Sequence, residues 1–309
     1  MAGGDGMQLS EEAMDLSEVS KTLDGAGLAY SRLDCIAKRI RDIALLDEYP
    51  HLRQIDLSNN YIEDVAPLSK LNHILSLNLA SNAIASIDAW TSEALQHLLF
   101  LDVSGNKLTS LPKLNMPALR RANFSRNEIT TCKDFGGHER LHTLRLTENH
   151  LESVEGLCNC PQLEVLELGQ NSLSNLRGIK RLPCLATLNL SKNSVESLEG
   201  PWGEMPKLKL LDISANKIAD SKTFFPISRL AELRNVQVAG NPLEEQDGVN
   251  LRLELLICHS FIEVINGEEV TPEEKDDAKA LNEKRIEEEA ERLRAEEEAR
   301  LAAEAAAAE

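Results

Sequence analysis

The sequence has few aromatic residues and no long apolar run. Aromatic side chains make up 4% of its 309 residues, so any core must rest on leucine, isoleucine and valine. No uninterrupted apolar run reaches the roughly 18–20 residues that span a bilayer. Residues 1–6 also lack the basic-then-apolar pattern of a signal peptide. We therefore expect a soluble protein that is not exported.

Basic residues and cysteines are scarce too. The 33 basic and 51 acidic side chains give a formal net charge of −18, which opposes non-specific contact with nucleic acid or anionic lipid. Six cysteines are too few for a disulfide framework, and a reducing compartment is expected. The 42% apolar content is still enough for a substantial core. Neither nucleic acid nor a membrane is predicted as a partner.

An asparagine recurs every 21 to 25 residues through the middle of the chain. Apolar residues stand five and three positions before most of these asparagines, as Leu166 and Leu168 do before Asn171, and return two, five and often eight positions after them. This spacing is typical of a leucine-rich repeat. The recurring residues are Asn60, Asn82, Asn106, Asn127, Asn149, Asn171, Asn193, Asn216 and Asn241.

The spacing predicts an α/β solenoid. The residues around each apolar pair alternate as in a short strand, and successive copies stack into a parallel sheet on the concave side. The asparagine amide, with two donors and an acceptor, is expected to pair with the buried backbone of adjacent coils and so form a structural ladder. Because no coil can bury its apolar edge alone, both ends of the array need caps.

The frame predicts about ten coils over residues 32–243, the first of them degenerate with Lys38 in the asparagine place. Residues 1–8 are expected to be flexible. Over residues 9–31 we predict an N-terminal capping helix and a linker, because Ala13, Leu16, Val19 and Leu23 stand at helical spacing after Ser10.

Residues 244–271 resemble the C-terminal cap of the 22-residue leucine-rich-repeat subclass, with Asn266 where that motif usually has aspartate. Residues 272–309 are rich in glutamate, arginine and alanine and predict a long acidic helix. Its apolar residues do not sustain a heptad repeat, so a solvated single helix is favoured over a coiled coil.

No pattern for catalysis or for cofactor binding stands out, and the chain is predicted not to be an enzyme, with no metal, no cofactor and no small-molecule substrate. Cys158, Cys160 and Cys184 raise a metal hypothesis, but Cys160 falls in a core position of the repeat, where a small buried hydrophobe is favoured. Trp90 and Phe224 also fall in core positions, whereas Trp202 is balanced between a buried and a partly exposed setting.

The residues that flank each inward apolar pair, six, four and two positions before the asparagine, must face outward from the concave sheet. Apolar side chains beside arginines are typical of a protein-binding surface, although the face could simply be solvated. The predicted protein-binding residues are Asp56, Phe100, Asp102, Arg121, Arg145, Val165, Glu167, Leu210 and Asp212.

The N-terminal third resembles a family of leucine-rich-repeat components of the radial spokes of motile cilia. His51, Arg53 and His73 weigh most in this resemblance, because the repeat itself does not require them. It implies a non-enzymatic structural protein of the cytoplasm and of the ciliary or flagellar axoneme, part of the cytoskeleton, whose partners are other spoke proteins. An alternative is a regulatory or adaptor subunit of a phosphatase or dynein complex. Further matching residues are Gly27, Leu28, Ala29, Tyr30, Arg39, Asp42, Ile43 and Leu52.

Overall fold

The computed structural model describes residues 6–22, 25–90, 94–246 and 249–307, with residues 301–307 as backbone only. The strands are β1 (Met7–Gln8), β2 (Asp15–Lys21), β3 (Leu28–Asp34), β4 (Ile40–Asp42), β5 (Gln54–Asp56), β6 (Ser76–Asn78), β7 (Phe100–Asp102), β8 (Arg121–Asn123), β9 (Thr143–Arg145), β10 (Val165–Glu167), β11 (Thr187–Asn189), β12 (Leu210–Asp212), β13 (Asn235–Gln237), β14 (Val264–Ile265) and β15 (Glu268–Glu269). The α-helices are α1 (Leu251–Cys258) and α2 (Pro272–Ala307). Short 3-10 helices span Glu11–Ala13, Ala44–Glu48, Ala66–Lys70, Trp202–Glu204, Ser221–Arg229 and Pro242–Glu245.

A 13-stranded sheet runs the length of the solenoid, from β2 at one edge to β15 at the other. Every pairing from β3 through β14 is parallel, with one strand per coil and no shift of register. One residue of each of these strands points inward in register with its neighbours, and none of these residues is more than 3% exposed. The predicted α/β leucine-rich-repeat solenoid is confirmed. The inward row is Leu33, Ile55, Leu77, Leu101, Ala122, Leu144, Leu166, Leu188, Leu211, Val236 and Ile265.

The few aromatic residues fill irregular places in the aliphatic core. Phe124 is fully buried on the coil whose strand presents the small Ala122 inward. Trp90 and Phe224 are buried, as predicted. Trp202 is only 1% exposed, and its indole Nε1 donates to the Leu198 carbonyl at 2.6 Å. That hydrogen bond satisfies the one polar atom of the ring, so the buried interpretation of Trp202 is the correct one.

The predicted N-terminal capping helix is wrong. Residues 15–21 form β2, which pairs antiparallel with β3, and Leu16 lies opposite Leu33 while Val19 lies opposite Tyr30. Only Glu11–Ala13 is helical, as one 3-10 turn. The open edge of β3 presents unpaired backbone N–H and C=O groups, which an added strand satisfies and a helix would not. Leu23 of the predicted helix lies outside the described residues.

Residues 7 and 8 are not the flexible segment that we expected. They form β1, parallel to β4, and Leu9 beyond them is 3% exposed. The Cys35 thiol donates to the Ala13 carbonyl, with sulfur and oxygen 3.4 Å apart. Strand β1, Leu9 and the 3-10 turn together cover the first coil. Residues 1–5 of the expected flexible segment lie outside the described residues.

The C-terminal end is closed by α1 and by the first part of α2. The Asn250 side chain accepts from the backbone N–H groups of Arg252 and Leu253 and so caps α1. Helix α2 packs against α1, and Ala278 is 2% exposed there. From Glu283 to Arg300 every side chain except Ala290 is exposed. The expected solvated helix is therefore half right, because only its distal part is free of the cap.

Candidate protein-binding surface

The repeated asparagines connect each coil to the one before it. Asn171 donates through Nδ2 to the carbonyls of Leu146 and Leu168, both at 2.9 Å, and accepts through Oδ1 from the Leu151 N–H at 3.0 Å. The same pattern recurs at every predicted ladder position. Asn82 is half-buried and the other ladder asparagines are buried. These bonds fix the backbone just after each strand and hold the concave face in one shape.

Acids on the concave face are held by hydrogen bonds within the chain. Asp102 accepts through Oδ1 from the N–H and hydroxyl of Ser104, at 2.9 and 2.6 Å, and through Oδ2 from the Asn123 amide at 2.9 Å. Asp56 is held in the same way by Ser58 and Asn78. The side chain of an Asp or Asn two residues before a serine can accept a hydrogen bond from the backbone N–H of that serine, which fixes the rotamer of the Asp or Asn. These carboxylates are therefore occupied by donors of the solenoid itself.

The remaining predicted acids follow the same rule in part. Asp212 accepts from the N–H and hydroxyl of Ser214, at 2.9 and 2.6 Å. Glu167 accepts through Oε2 from the Asn189 amide at 3.2 Å. Both residues are half-buried. The recurring Asp-x-Ser pattern was visible in the sequence, and it could have indicated which acids are occupied in this way.

Two arginines and an aromatic ring form the most distinctive part of this face. Phe100 is 39% exposed, and the guanidinium carbon of Arg121 lies 5.4 Å from the centre of its ring. This distance is within the range of a cation–π contact. Arg145 is exposed on the neighbouring β9. The ring and the two guanidinium groups are therefore presented to solvent from three adjacent strands.

Five of the nine predicted binding residues line one basin of about 530 Å³ on strands β6 to β10. We call it the concave basin, and its predicted members are Phe100, Asp102, Arg121, Arg145 and Val165. Glu167 lies on β10 at its border, and Asp56 lies one strand beyond its edge. Leu210 and Asp212 are on β12, two strands beyond β10, and are not part of the basin.

The structure shows two surface features that the sequence reasoning did not identify. His51, His73 and His97 occupy equivalent places on consecutive coils, and the rings of His73 and His97 stack with centroids 5.9 Å apart. Burial, followed by His97, His51 and Arg53, lowers the pKa of His73, which favours its neutral form. Each of the three histidines stands nine positions before a ladder asparagine, and this shared position was a usable signal.

The second unpredicted feature lies on the N-terminal hairpin. Val19, Leu28 and Tyr30 are 59%, 72% and 49% exposed, and Val19 and Tyr30 face each other across the two strands. The helical interpretation of residues 9–31 concealed this patch, because it placed Val19 on a buried helix face.

Three of the six cysteines, Cys35, Cys132 and Cys160, are buried in the core as packing residues. Burial raises the pKa of Cys160 to about 11 and that of Cys132 to about 12, so both thiols stay protonated at neutral pH. Within the described ranges no group of three or more His, Cys, Asp or Glu side chains is arranged to hold a metal ion. Likewise, no helix in the described part of the chain is long and apolar enough to cross a membrane.

The fold and the repeated ladder define a leucine-rich-repeat solenoid, a class of protein whose extended concave face commonly serves as a binding surface. The sequence model of the family described as leucine rich repeat matches residues 50–108. Among solved structures, the LRIM1/APL1C complex aligns with a TM-score of 0.56 at 22% identity, covering 72% of this chain and 41% of that one.

The sequence is similar to leucine-rich repeat-containing protein 23. The human protein (Homo sapiens) is 32% identical over 151 residues, which are 48% of this chain and 37% of the human one. The mouse protein (Mus musculus) is 37% identical over 142 residues, 46% of this chain and 34% of that one. The matched region thus spans little more than a third of the length of these relatives.

Proposed function

We propose that this chain is a non-enzymatic scaffold of the motile-cilium axoneme, a radial spoke component that docks neighbouring spoke proteins. The observation that carries the proposal is the similarity to leucine-rich repeat-containing protein 23 over 151 residues. The resemblance carried by His51, Arg53 and His73, at positions where the repeat alone sets no requirement, supports the proposal.

The geometry supports docking by a preformed surface. Ten repeat strands at about 4.8 Å spacing make a concave ribbon of roughly 48 Å, long enough to contact an extended partner. Because the asparagine ladder already orders this ribbon, little conformational entropy is lost when a partner binds. The 36 residues of α2 reach about 54 Å at 1.5 Å per residue, and the exposed distal part offers a second contact away from the solenoid.

The proposal is tested by locating a tagged copy of the chain in flagellated cells. We expect the tag along the axoneme and retention after detergent removes membrane and soluble protein. Co-purification from those axonemes should recover spoke proteins. Exclusion of the tag from the axoneme would overturn the spoke assignment.

The adaptor alternative predicts a different outcome of the same experiment. If the chain serves a phosphatase, the tagged copy should be extracted with the soluble fraction and carry a phosphatase in stoichiometric amount. A dynein adaptor should instead stay with the axoneme but co-purify with dynein subunits rather than spoke proteins.

A further inference from the structure

We propose that the concave basin binds a short acidic segment of a protein partner, with carboxylates placed beside an apolar side chain. The inference deepens the proposed function and rests on it, since it specifies the chemistry of the docked partner. It is carried by two arginines on a rigid sheet, next to an exposed aromatic ring, that lack an acidic partner.

Several basic side chains on the other surfaces of the solenoid pair with an acid one coil away, at 2.9 to 3.5 Å, and Arg121 and Arg145 do not. The pairs are Arg41 with Glu63, Arg126 with Glu148, Lys133 with Glu155 and Arg177 with Glu199. Among the described residues, neither Arg121 nor Arg145 forms an ion pair or donates a side-chain hydrogen bond. Their guanidinium groups are thus available to an external anion.

The nearest carboxylates already accept hydrogen bonds from other donors of the chain. Asp102 on β7 and Arg145 on β9 lie in the same row across the sheet, with Asn123 of β8 between them. Both oxygens of Asp102 accept hydrogen bonds, from Ser104 and from Asn123. Glu167 lies directly opposite Arg145 in the register, yet its Oε2 accepts from Asn189 instead. The internal amide and hydroxyl donors therefore compete with the arginines for the acids of this face.

The two arginines are close enough to bind the same acidic segment. Thr143 lies directly opposite Arg121 and is two residues before Arg145 on the same strand, so the arginines are diagonal neighbours, whose separation is about 7–8 Å in a sheet. Each guanidinium presents a planar fork that matches a carboxylate in two hydrogen bonds. Two adjacent carboxylates, or one carboxylate shared by both forks, fit this spacing. Phe100 and Val165 supply apolar surface on either side for the neighbouring side chain of the segment.

The surrounding charges limit how long this segment can be. Asp34 and Asp56 lie in the row toward β3, and Asp212 lies toward the cap. A long acidic helix laid along the whole face, such as the distal part of α2 from a second copy, would meet those carboxylates. A short acidic segment seated between β7 and β10 meets the two arginines and avoids Asp34, Asp56 and Asp212. The two acids within that span, Asp102 and Glu167, already accept hydrogen bonds from the chain.

The test is binding of the purified full-length chain to two short fluorescein-labelled peptides, followed by fluorescence anisotropy. One peptide alternates glutamate with leucine, and the other carries glutamine in place of glutamate. We expect the glutamate peptide to bind at least about tenfold more tightly, in proportion to two charge-assisted contacts. Its affinity should fall as salt rises from about 0.05 to 0.5 M, because exposed charges are screened. Equal affinity for the two peptides would overturn the proposal.

Variants locate the binding. The double variant Arg121→Glu with Arg145→Glu should lower the affinity for the glutamate peptide by about tenfold or more. The double variant Arg121→Gln with Arg145→Gln should lower it by less. The matched control, Arg120→Glu with Arg140→Glu, makes the same charge change on two exposed arginines outside the basin. It should leave affinity within about twofold. Unchanged melting curves establish that the variants are folded, and if the Glu pair unfolds, the Gln pair carries the test.

Two outcomes would contradict the inference while leaving the axonemal role open. Loss of peptide binding in the control Arg120→Glu with Arg140→Glu equal to that in the basin variant would show general charge attraction. Self-association of the chain in sedimentation, abolished by the basin variant, would show that a second copy occupies the basin. Localisation to the axoneme is measured separately, so a failed peptide test and a failed spoke assignment are distinguishable.

Discussion

Replacement of one ladder asparagine, Asn171→Ala, tests the physical basis of the solenoid. The amide Nδ2 group is shared among carbonyls that each have a second donor, since the Leu146 oxygen also accepts from Asn149 and the Leu168 oxygen from Asn193. Those acceptors stay partly satisfied after the substitution. The Leu151 N–H does not, because Asn171 Oδ1 is its only acceptor in the described structure.

The magnitude follows from that one orphaned donor. A buried polar group left without a partner costs about 1–3 kcal/mol, and Asn171 is 9% exposed, with Leu151 fully buried beside it. We therefore expect Asn171→Ala to lower the free energy of unfolding by about 1–3 kcal/mol. Because each coil is stabilised by its neighbours, the loss of stability should extend to the coils on both sides of the substitution.

Urea unfolding followed by circular dichroism measures this loss, and hydrogen exchange at the Leu151 amide locates it. The matched control is Asn72→Ala, an exposed asparagine outside the ladder, for which the change should stay within about 0.5 kcal/mol. If Asn171→Ala and Asn72→Ala change the free energy of unfolding equally, or if the Leu151 amide keeps its protection, the ladder does not stabilise the array in the way argued.

Two further predictions concern the backbone and the cap. Gly156 has φ +99°, and a Cβ there would overlap the carbonyl oxygen of Cys132, so Gly156→Ala should cost at least about 1 kcal/mol in urea unfolding; Gly203→Ala, in open space, should be neutral. At the cap, hydrogen bonding and charge from Arg252 hold the pKa of Glu274 at about 2, below its ordinary 4.5. A depressed folded-state pKa contributes stability above the unfolded pKa, so the docking of α2 should weaken as pH falls from about 4.5 toward 2, seen as lower hydrogen-exchange protection factors in the first turns of α2 after correction for the intrinsic exchange rate at each pH. Arg252→Gln should flatten that dependence, and an unchanged pH profile would contradict the assigned cause.

The repeated part of the fold could be predicted because each coil poses the same physical problem. Spacing alone placed Leu166 and Leu168 inward and Asn171 at the turn, and the structure repeats that arrangement coil after coil. The spacing that sets the concave rows also determined that Phe100 and Arg121 would point outward. The local sequence pattern was sufficient to predict the fold wherever each coil packs against a coil of the same kind.

The N-terminal end could not be predicted in the same way. Leu16 and Val19 fit a helical period as well as they fit a strand, and the decision came from a distant partner, the open edge of β3. Strand preference depends strongly on such tertiary context. At the C-terminal end, an ion pair between Arg285 of α2 and Glu254 of α1 joins residues that no local pattern relates. Its nitrogen and oxygen atoms are 2.6 Å apart, and it holds α2 against α1.

The candidate basin was only partly predictable for a similar reason. The outward direction of these side chains follows from strand alternation. Whether the arginines are left without an acidic partner depends on which other donors reach the acids. Ser104 and Asn123 occupy Asp102, and Asn189 occupies one oxygen of Glu167, so the arginines are left without partners. The bond from Ser104 follows from the local Asp-x-Ser pattern, whereas the amides of Asn123 and Asn189 reach these acids from the next coil and are visible only when adjacent coils are placed together.

The central claim, that the concave face docks this chain in the axoneme, is tested most directly by a matched pair of phenylalanine variants in flagellated cells. Phe100 lies in the concave basin, whereas Phe225 is 66% exposed on the 3-10 helix Ser221–Arg229, outside the sheet. The quantity measured is the fraction of tagged chain retained in detergent-extracted axonemes. We predict that Phe100→Asp is lost from the axoneme while Phe225→Asp is retained like the unmodified chain. Equal retention of both variants would contradict the account.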